Sequence, residues 1–297
     1  MEYEVPEYSK QFHRFHVSAS GGTQNIDEGI LKLYLRKEYK MGFPMSSRPR
    51  AGQIVQQIVD MHLGLHEYSP IRGKQEEISL PEAIRHGMTE YMMYQPLDWD
   101  NGADAEAFAE FKEHIAEMAQ HAAKGVKEFF GDEEIEGEYQ RWHKDERIDV
   151  PCMMFLDYAG PTRQIDLKCS LPLKNPLKKD GTRTWRVPKP KETPTPQQVM
   201  QQAVYWKATG LEPALLFVTS AGYNICTPDN CPALKEPSLE RAYEDVVRRW
   251  LAVQKLMKAA NGNWRDLFSL VPPDFGMIAT RHGPEVFKIA QEAWRVQ

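Results

Sequence analysis

The sequence is short of the features that mark the commonest enzyme classes. It has neither a Gly-x-Gly-x-x-Gly fingerprint nor a Gly-x-x-x-x-Gly-Lys loop, which disfavours a dinucleotide oxidoreductase or a P-loop nucleotide triphosphatase. Four cysteines in 297 residues supply no disulfide framework, and a reducing compartment would keep them as thiols. Cys226 and Cys231 stand five apart, but no second Cys/His pair accompanies them at zinc-ligand spacing. His62 and His66 are four apart with no carboxylate companion, a weak basis for a transition-metal site. No apolar run approaches the roughly 18 residues of a membrane span, and Met1-Glu2-Tyr3-Glu4-Val5 lacks the basic and apolar regions of a signal peptide. A cytoplasmic protein without a membrane partner is expected. A net charge of −5 and a pI near 6.0 give no global sign of a polyanionic partner, so a nucleic-acid surface would have to be local. There are no internal repeats.

What is present is an ordered set of periodic segments. Ser18-Ala19-Ser20 precedes apolar residues through Leu35, and the hydroxyls suit a cap or turn. Ala51 to Leu65 has helical apolar spacing, with Gly52, Gln56 and Asp60 on another face. Phe108, Phe111, Ile115, Met118, Ala122, Val126 and Phe129 predict a long amphipathic helix over 105–130, stopped by Gly131. Short β-rich runs at 135–142, 147–158 and 163–169, separated by turn residues, predict a three-stranded meander. Beyond a Pro-rich loop, 195–210 reads as a helix opened by Thr193 or Thr195, 214–219 and 223–226 as a strand pair, and Ser238 as the cap of another long helix. A final helix is expected from Pro284. Helices, three strands, a helix, two strands and helices again make an α/β protein whose mixed sheet of about five strands is flanked by helices.

Chemistry is concentrated in the meander. In Ile165-Asp166-Leu167-Lys168, alternation sends Asp166 and Lys168 to one face, where an acid and an ammonium can share a water. Such a triplet is common by itself. Here Asp149 also interrupts an apolar run on the expected second strand, and Gln201 and Tyr205 follow at i,i+4 on a helix. Carboxylates held on rigid strands are what a hard divalent cation requires.

In these residues the chain resembles the PD-(D/E)XK nuclease superfamily, within it the group that includes the RecB nuclease domain, the CRISPR-associated adaptation nucleases and related phage exonucleases. Val17-Ser18-Ala19-Ser20 resembles that group's Ser-x-Ser entry to the first helix. Arg147-Ile148-Asp149 is similar to the end of its Gly-x-x-Asp motif, Asp166-Leu167-Lys168 to its acid-x-Lys motif, and Gln201-Gln202-Ala203-Val204-Tyr205 to its Gln-x-x-x-Tyr motif. The resemblance spans 17–205. It departs at Glu146, where the family has glycine, and at Gln56, where many relatives place a metal-binding histidine.

The resemblance implies a restriction-endonuclease-like core over about 50–227 in a single domain of 1–297, with helical elaborations at both ends. It implies Mg²⁺ or Mn²⁺ held by Asp149 and Asp166 with the Leu167 carbonyl and Glu138 contributing, and Gln56 or Asp60 as the helical ligand. Lys168 would orient water or stabilise charge on the scissile phosphate, with Gln201 and Tyr205 beside the site. No iron–sulfur cluster is expected, because the flanking cysteines of the cluster-bearing relatives are missing. The expected activity is a DNA exonuclease in recombination, repair or replication, in a host cytoplasm if phage-encoded. A structure-specific endonuclease and a catalytically silent DNA-binding protein are the alternatives, and a homo-oligomer or a recombination or replication partner protein is compatible with each. The segment from Lys174 to Lys191 carries seven basic residues against one acid. Between the acid-x-Lys and Gln-x-x-x-Tyr segments, Lys174, Lys178, Lys179, Arg183, Arg186 and Lys189 form a candidate DNA guide, with Trp185 able to stack on a base.

Overall fold

The computed structural model describes residues 3–21, 25–65, 78–99, 102–176 and 184–295. They form an α/β structure around a mixed six-stranded sheet. The strands are β1 (Val17–Ser18), β2 (Glu136–His143), β3 (Cys152–Ala159), β4 (Arg163–Cys169), β7 (Glu212–Thr219) and β8 (Gly222–Cys226), while β5 (Leu173–Lys174) and β6 (Trp185–Arg186) make a separate two-stranded ribbon. Pairing is parallel for β1–β3 and β4–β7 and antiparallel elsewhere.

One sheet face is covered by α3 (Ser47–His62) and α5 (Ala103–Phe130), with α4 (Leu80–Met92) packed on α3. The stripe of Phe111, Ile115, Met118, Ala122 and Val126 packs with Leu216 and Val218 of β7, and each large side chain buried there contributes about 1.5–3 kcal/mol. Gly125 permits the close approach, since a Cβ there would lie 2.6 Å from a Leu216 methyl. The opposite face is covered by α6 (Pro196–Thr209) and α7 (Glu236–Ala260), whose Ala203, Val204, Val246 and Trp250 pack with Leu215 and Phe217. Thr195 and Gln198 form a reciprocal capping box that fixes the start of α6. Helices α1 (Glu7–Gln11), α2 (Ile26–Tyr34), α8 (Trp264–Ser269) and α9 (Phe275–Trp294) supply two smaller cores outside the sheet layers. Among the described residues no helix is long and apolar enough to cross a membrane.

Several expectations shift. Ser18 lies in β1 and accepts the Gly21 amide at 3.0 Å, a turn role, while the helix starts later at an Asn25 cap. The last helix begins at Phe275 and is broken at Gly283, whose φ of 82° precedes Pro284, so the proline marks a kink within it. Ser238 is inside α7, its hydroxyl on the Pro232 carbonyl. The β3 strand begins at Cys152, five residues after the expected 147.

The sheet leaves one opening that matters. Along one edge β3 pairs with β2 from Cys152 to Ala159, so β1 and β4 must share its other edge. There β1 takes Cys152 and Met153, and β4 takes only Tyr158 and Ala159. Between them β3 and β4 diverge, and Asp157 stands at the fork.

Candidate active site

Continuing the β3–β4 register by one pair would set Asp157 opposite Asp166. The ladder stops just short, and the Asp157 carboxylate accepts the Leu167 amide at 2.7 Å in place of a strand partner. Asp166 and Lys168 point to the α6 face, in register with Leu215 and Phe217 of β7. Asp166 is buried at 3% exposure. Its Oδ2 lies 2.5 Å from Lys168 Nζ but outside hydrogen-bond geometry, so the ion pair compensates a carboxylate oxygen that accepts no hydrogen bond. Lys168 Nζ also donates to Gln201 Oε1 at 3.1 Å, and Gln201 Nε2 to the Tyr205 hydroxyl at 2.7 Å. The i,i+4 spacing on α6 thus lays Gln201 and Tyr205 along the β4 dyad.

From the opposite layer, Gln56 Nε2 approaches Asp157 Oδ1 at 3.4 Å. Asp60, one turn further along α3 and buried, adds its charge to the field at Asp157. Both candidates for the helical position therefore face the same carboxylate. Asp157, Gln56, Lys168 and Gln201 are partly exposed while Asp166, Asp60 and Tyr205 are buried. Two further amides, Gln164 on the Asp166 face and Gln202 beside Gln201, are buried without hydrogen-bond partners among the described residues.

The electrostatics follow from this crowding. Burial and the neighbouring Asp166 hold the Asp157 carboxyl well above the usual carboxylate range, against the pull of Lys168 and the Leu167 amide. Burial alone would lower the Lys168 ammonium, but Asp166 and Asp157 outweigh it and its pKa is raised. Burial and the same two carboxylates push the Tyr205 phenol up, and burial with Asp157 lifts the Cys169 thiol to about 12.

Asp149 requires correction. It lies in the turn before β3, accepts the Tyr8 hydroxyl at 2.6 Å and pairs with Lys258 at 2.6 Å, while its amide donates to Gln254. Ile148 and Val150 are apolar because they pack under α7, not because they belong to the strand. From the start of β3 at Cys152 to Asp157 is five residues of strand, about 17 Å, and Asp149 lies in the turn beyond that far end. Asp157 is the carboxylate that sequence reading missed, although Leu156-Asp157-Tyr158 has the same acid-between-apolar signature one step before the Ala159-Gly160-Pro161 turn.

Leu167 sits between the dyad residues with its amide committed to Asp157. Glu138 belongs to β2, and its side chain lies outside the described residues. In the basic segment, Lys178, Lys179 and Arg183 lie outside the described residues, as does His66. Lys174 pairs with Glu106 at 2.5 Å and stands over the Trp185 ring. Trp185 packs edge-on to Phe111 and, partly buried, against the α3–α5 core. Arg186 and Lys189 are exposed.

Among the described residues no three His, Cys, Asp or Glu side chains converge as a preformed metal set. The donors offered are a pair, Asp157 and Asp166. Hard oxygen donors suit Mg²⁺, which binds through one or two carboxylates and otherwise keeps water and substrate phosphate oxygens. The unbonded Asp166 Oδ2 and the raised Asp157 both gain from a nearby cation. Searches against protein-family models and curated protein sequences give no match for the chain.

Proposed function

We propose that the chain is a divalent-metal-dependent deoxyribonuclease of the PD-(D/E)XK type, acting at DNA ends. The observation that carries the reading is the fork between β3 and β4, where the charge of Asp166 acts on Asp157 and Lys168 pairs with Asp166. The mixed sheet with helices on both faces is the frame expected of a restriction-endonuclease-like core. Asp157 and Asp166, with the Leu167 carbonyl and Asp60 nearby, are the residues that would hold Mg²⁺ or Mn²⁺, which would supply Lewis-acid polarisation of a phosphodiester and of water. Lys168, held by Asp166 and Gln201, is placed to donate to an attacking water or to a non-bridging phosphate oxygen. Its raised pKa keeps it charged at neutral pH. Gln201 and Tyr205 fix the ammonium from the α6 side and line the approach to the phosphate.

The test is degradation of end-labelled linear and closed circular DNA with and without Mg²⁺, beside Asp166→Ala and Lys168→Ala. The expected result is Mg²⁺-dependent loss of linear DNA, with circles intact and both variants inactive. Cleavage of circles would move the assignment to an endonuclease. DNA binding without cleavage by the wild-type protein would reduce it to a nucleic-acid-binding protein, and unchanged cleavage in both variants would remove the site.

A further inference from the structure

A second charged locus lies away from the carboxylates. A cavity of about 140 Å³ opens between the segment 13–18, α2 with the turn that follows it, and α7. His13, Arg14, His16, Lys32, Arg36 and Arg249 line it, and among the described residues no carboxylate does. Six cationic or cation-forming side chains from four chain segments thus meet with no acid on the lining.

We propose that this cavity is a binding site for a phosphate group. Two arginines offer planar forks that match phosphate oxygens, and Lys32 adds a point charge. The arrangement is costly without an anion. Burial and then the like charge of Arg36 push His16 and Lys32 down, and at His13 burial is joined by Lys40, Arg36 and Lys37. Acidic neighbours stand outside the lining, with Glu28 acting on Lys32, and Asp149 and Tyr8 on Arg14. His13 is moreover held at a φ of 57°, a left-handed conformation that a non-glycine residue adopts at a cost and that is found at ligand clamps. A phosphate dianion neutralises more of this charge than a carboxylate would. Nothing in the assignment requires Asp157 or Asp166.

The phosphate could arrive free, on a mononucleotide, or at the end of a nucleic-acid strand. Isothermal titration of the full chain with inorganic phosphate, with a mononucleotide, and with a short oligonucleotide bearing or lacking a terminal phosphate separates these sources. Arg36 and Arg249 are exposed, so Arg36→Glu and Arg249→Glu should fold, which circular dichroism checks; Lys32→Gln is a milder third variant and Lys235→Glu a charge-matched control outside the cavity. The expected result is binding of at least one phosphate-bearing probe that each arginine variant weakens about tenfold and the control does not. Preference for the phosphorylated oligonucleotide over inorganic phosphate assigns the group to a strand end. No heat with any probe, or equal affinities in wild type, Arg36→Glu and Arg249→Glu, overturns the site.

Discussion

Two places beside the same edge of β3 gather charge of opposite sign, and the two differ in how that charge is contained. At the β3–β4 fork, Asp157 and Asp166 share the Lys168 ammonium while Asp60 adds to the field at Asp157, and the excess negative charge is kept by raising Asp157 and pinning Lys168. Around β1 and α7, six basic groups surround a cavity that no carboxylate among the described residues lines. Other ion pairs, such as those of Arg50 with Glu90 and of Lys207 with Glu240, match one cation with one carboxylate. Unbalanced charge that folding has not neutralised is the physical mark of a place that recruits a partner of the other sign.

The comparison can be broken most forcefully at Asp166. Asp166→Asn should lower DNA cleavage by about 10³-fold, while Arg36→Glu leaves degradation of linear DNA lacking terminal phosphates within a few-fold; rates on labelled DNA decide. Next, Lys168→Met removes the cation paired with Asp166. After allowance for its partial exposure it should cost about 2 kcal/mol, measured by urea unfolding, with part of the loss restored by Mg²⁺.

Asp157→Asn should act the other way and stabilise the fold by about 1 kcal/mol at pH 7. Because the folded-state pKa of Asp157 is raised, its contribution to stability is fully present below the unfolded carboxylate pKa and is lost as pH rises through the folded value. The advantage of the asparagine variant should therefore shrink as the pH falls toward about 4. A constant advantage across that window would show that Asp157 is not perturbed. Smallest is Asp149→Asn, which weakens the contacts with Lys258 and Tyr8 and should cost about 1 kcal/mol or less at a partly exposed site.

How much was legible follows from the kind of signal. The Asp166–Lys168 face was readable because strand alternation is strictly local, and the Gln201–Tyr205 pair because i,i+4 spacing on a capped helix is equally local. The long α5 helix was readable from its stripe, whereas α4, with its Ile84, Met88 and Tyr91 spacing, was overlooked. Asp149 was placed on the second strand but lies in the turn before it, because apolar flanks do not tell whether a residue is in a strand or in a turn packed under a helix. Only counting back from the Gly160 turn separates the two. The helical position was left between Gln56 and Asp60, and packing of α3 across the sheet places both by Asp157. The cationic cavity was illegible, since its residues come from segments more than 200 positions apart and have no common motif.

The central claim is that the reacting centre is Asp157 with Asp166 and Lys168. It is tested most directly by comparing Mg²⁺-dependent cleavage of linear DNA by Asp157→Asn and by Asp149→Asn, each confirmed folded by thermal unfolding. The account predicts loss of cleavage in Asp157→Asn and retention in Asp149→Asn. Cleavage that survives in Asp157→Asn and disappears in Asp149→Asn would contradict it.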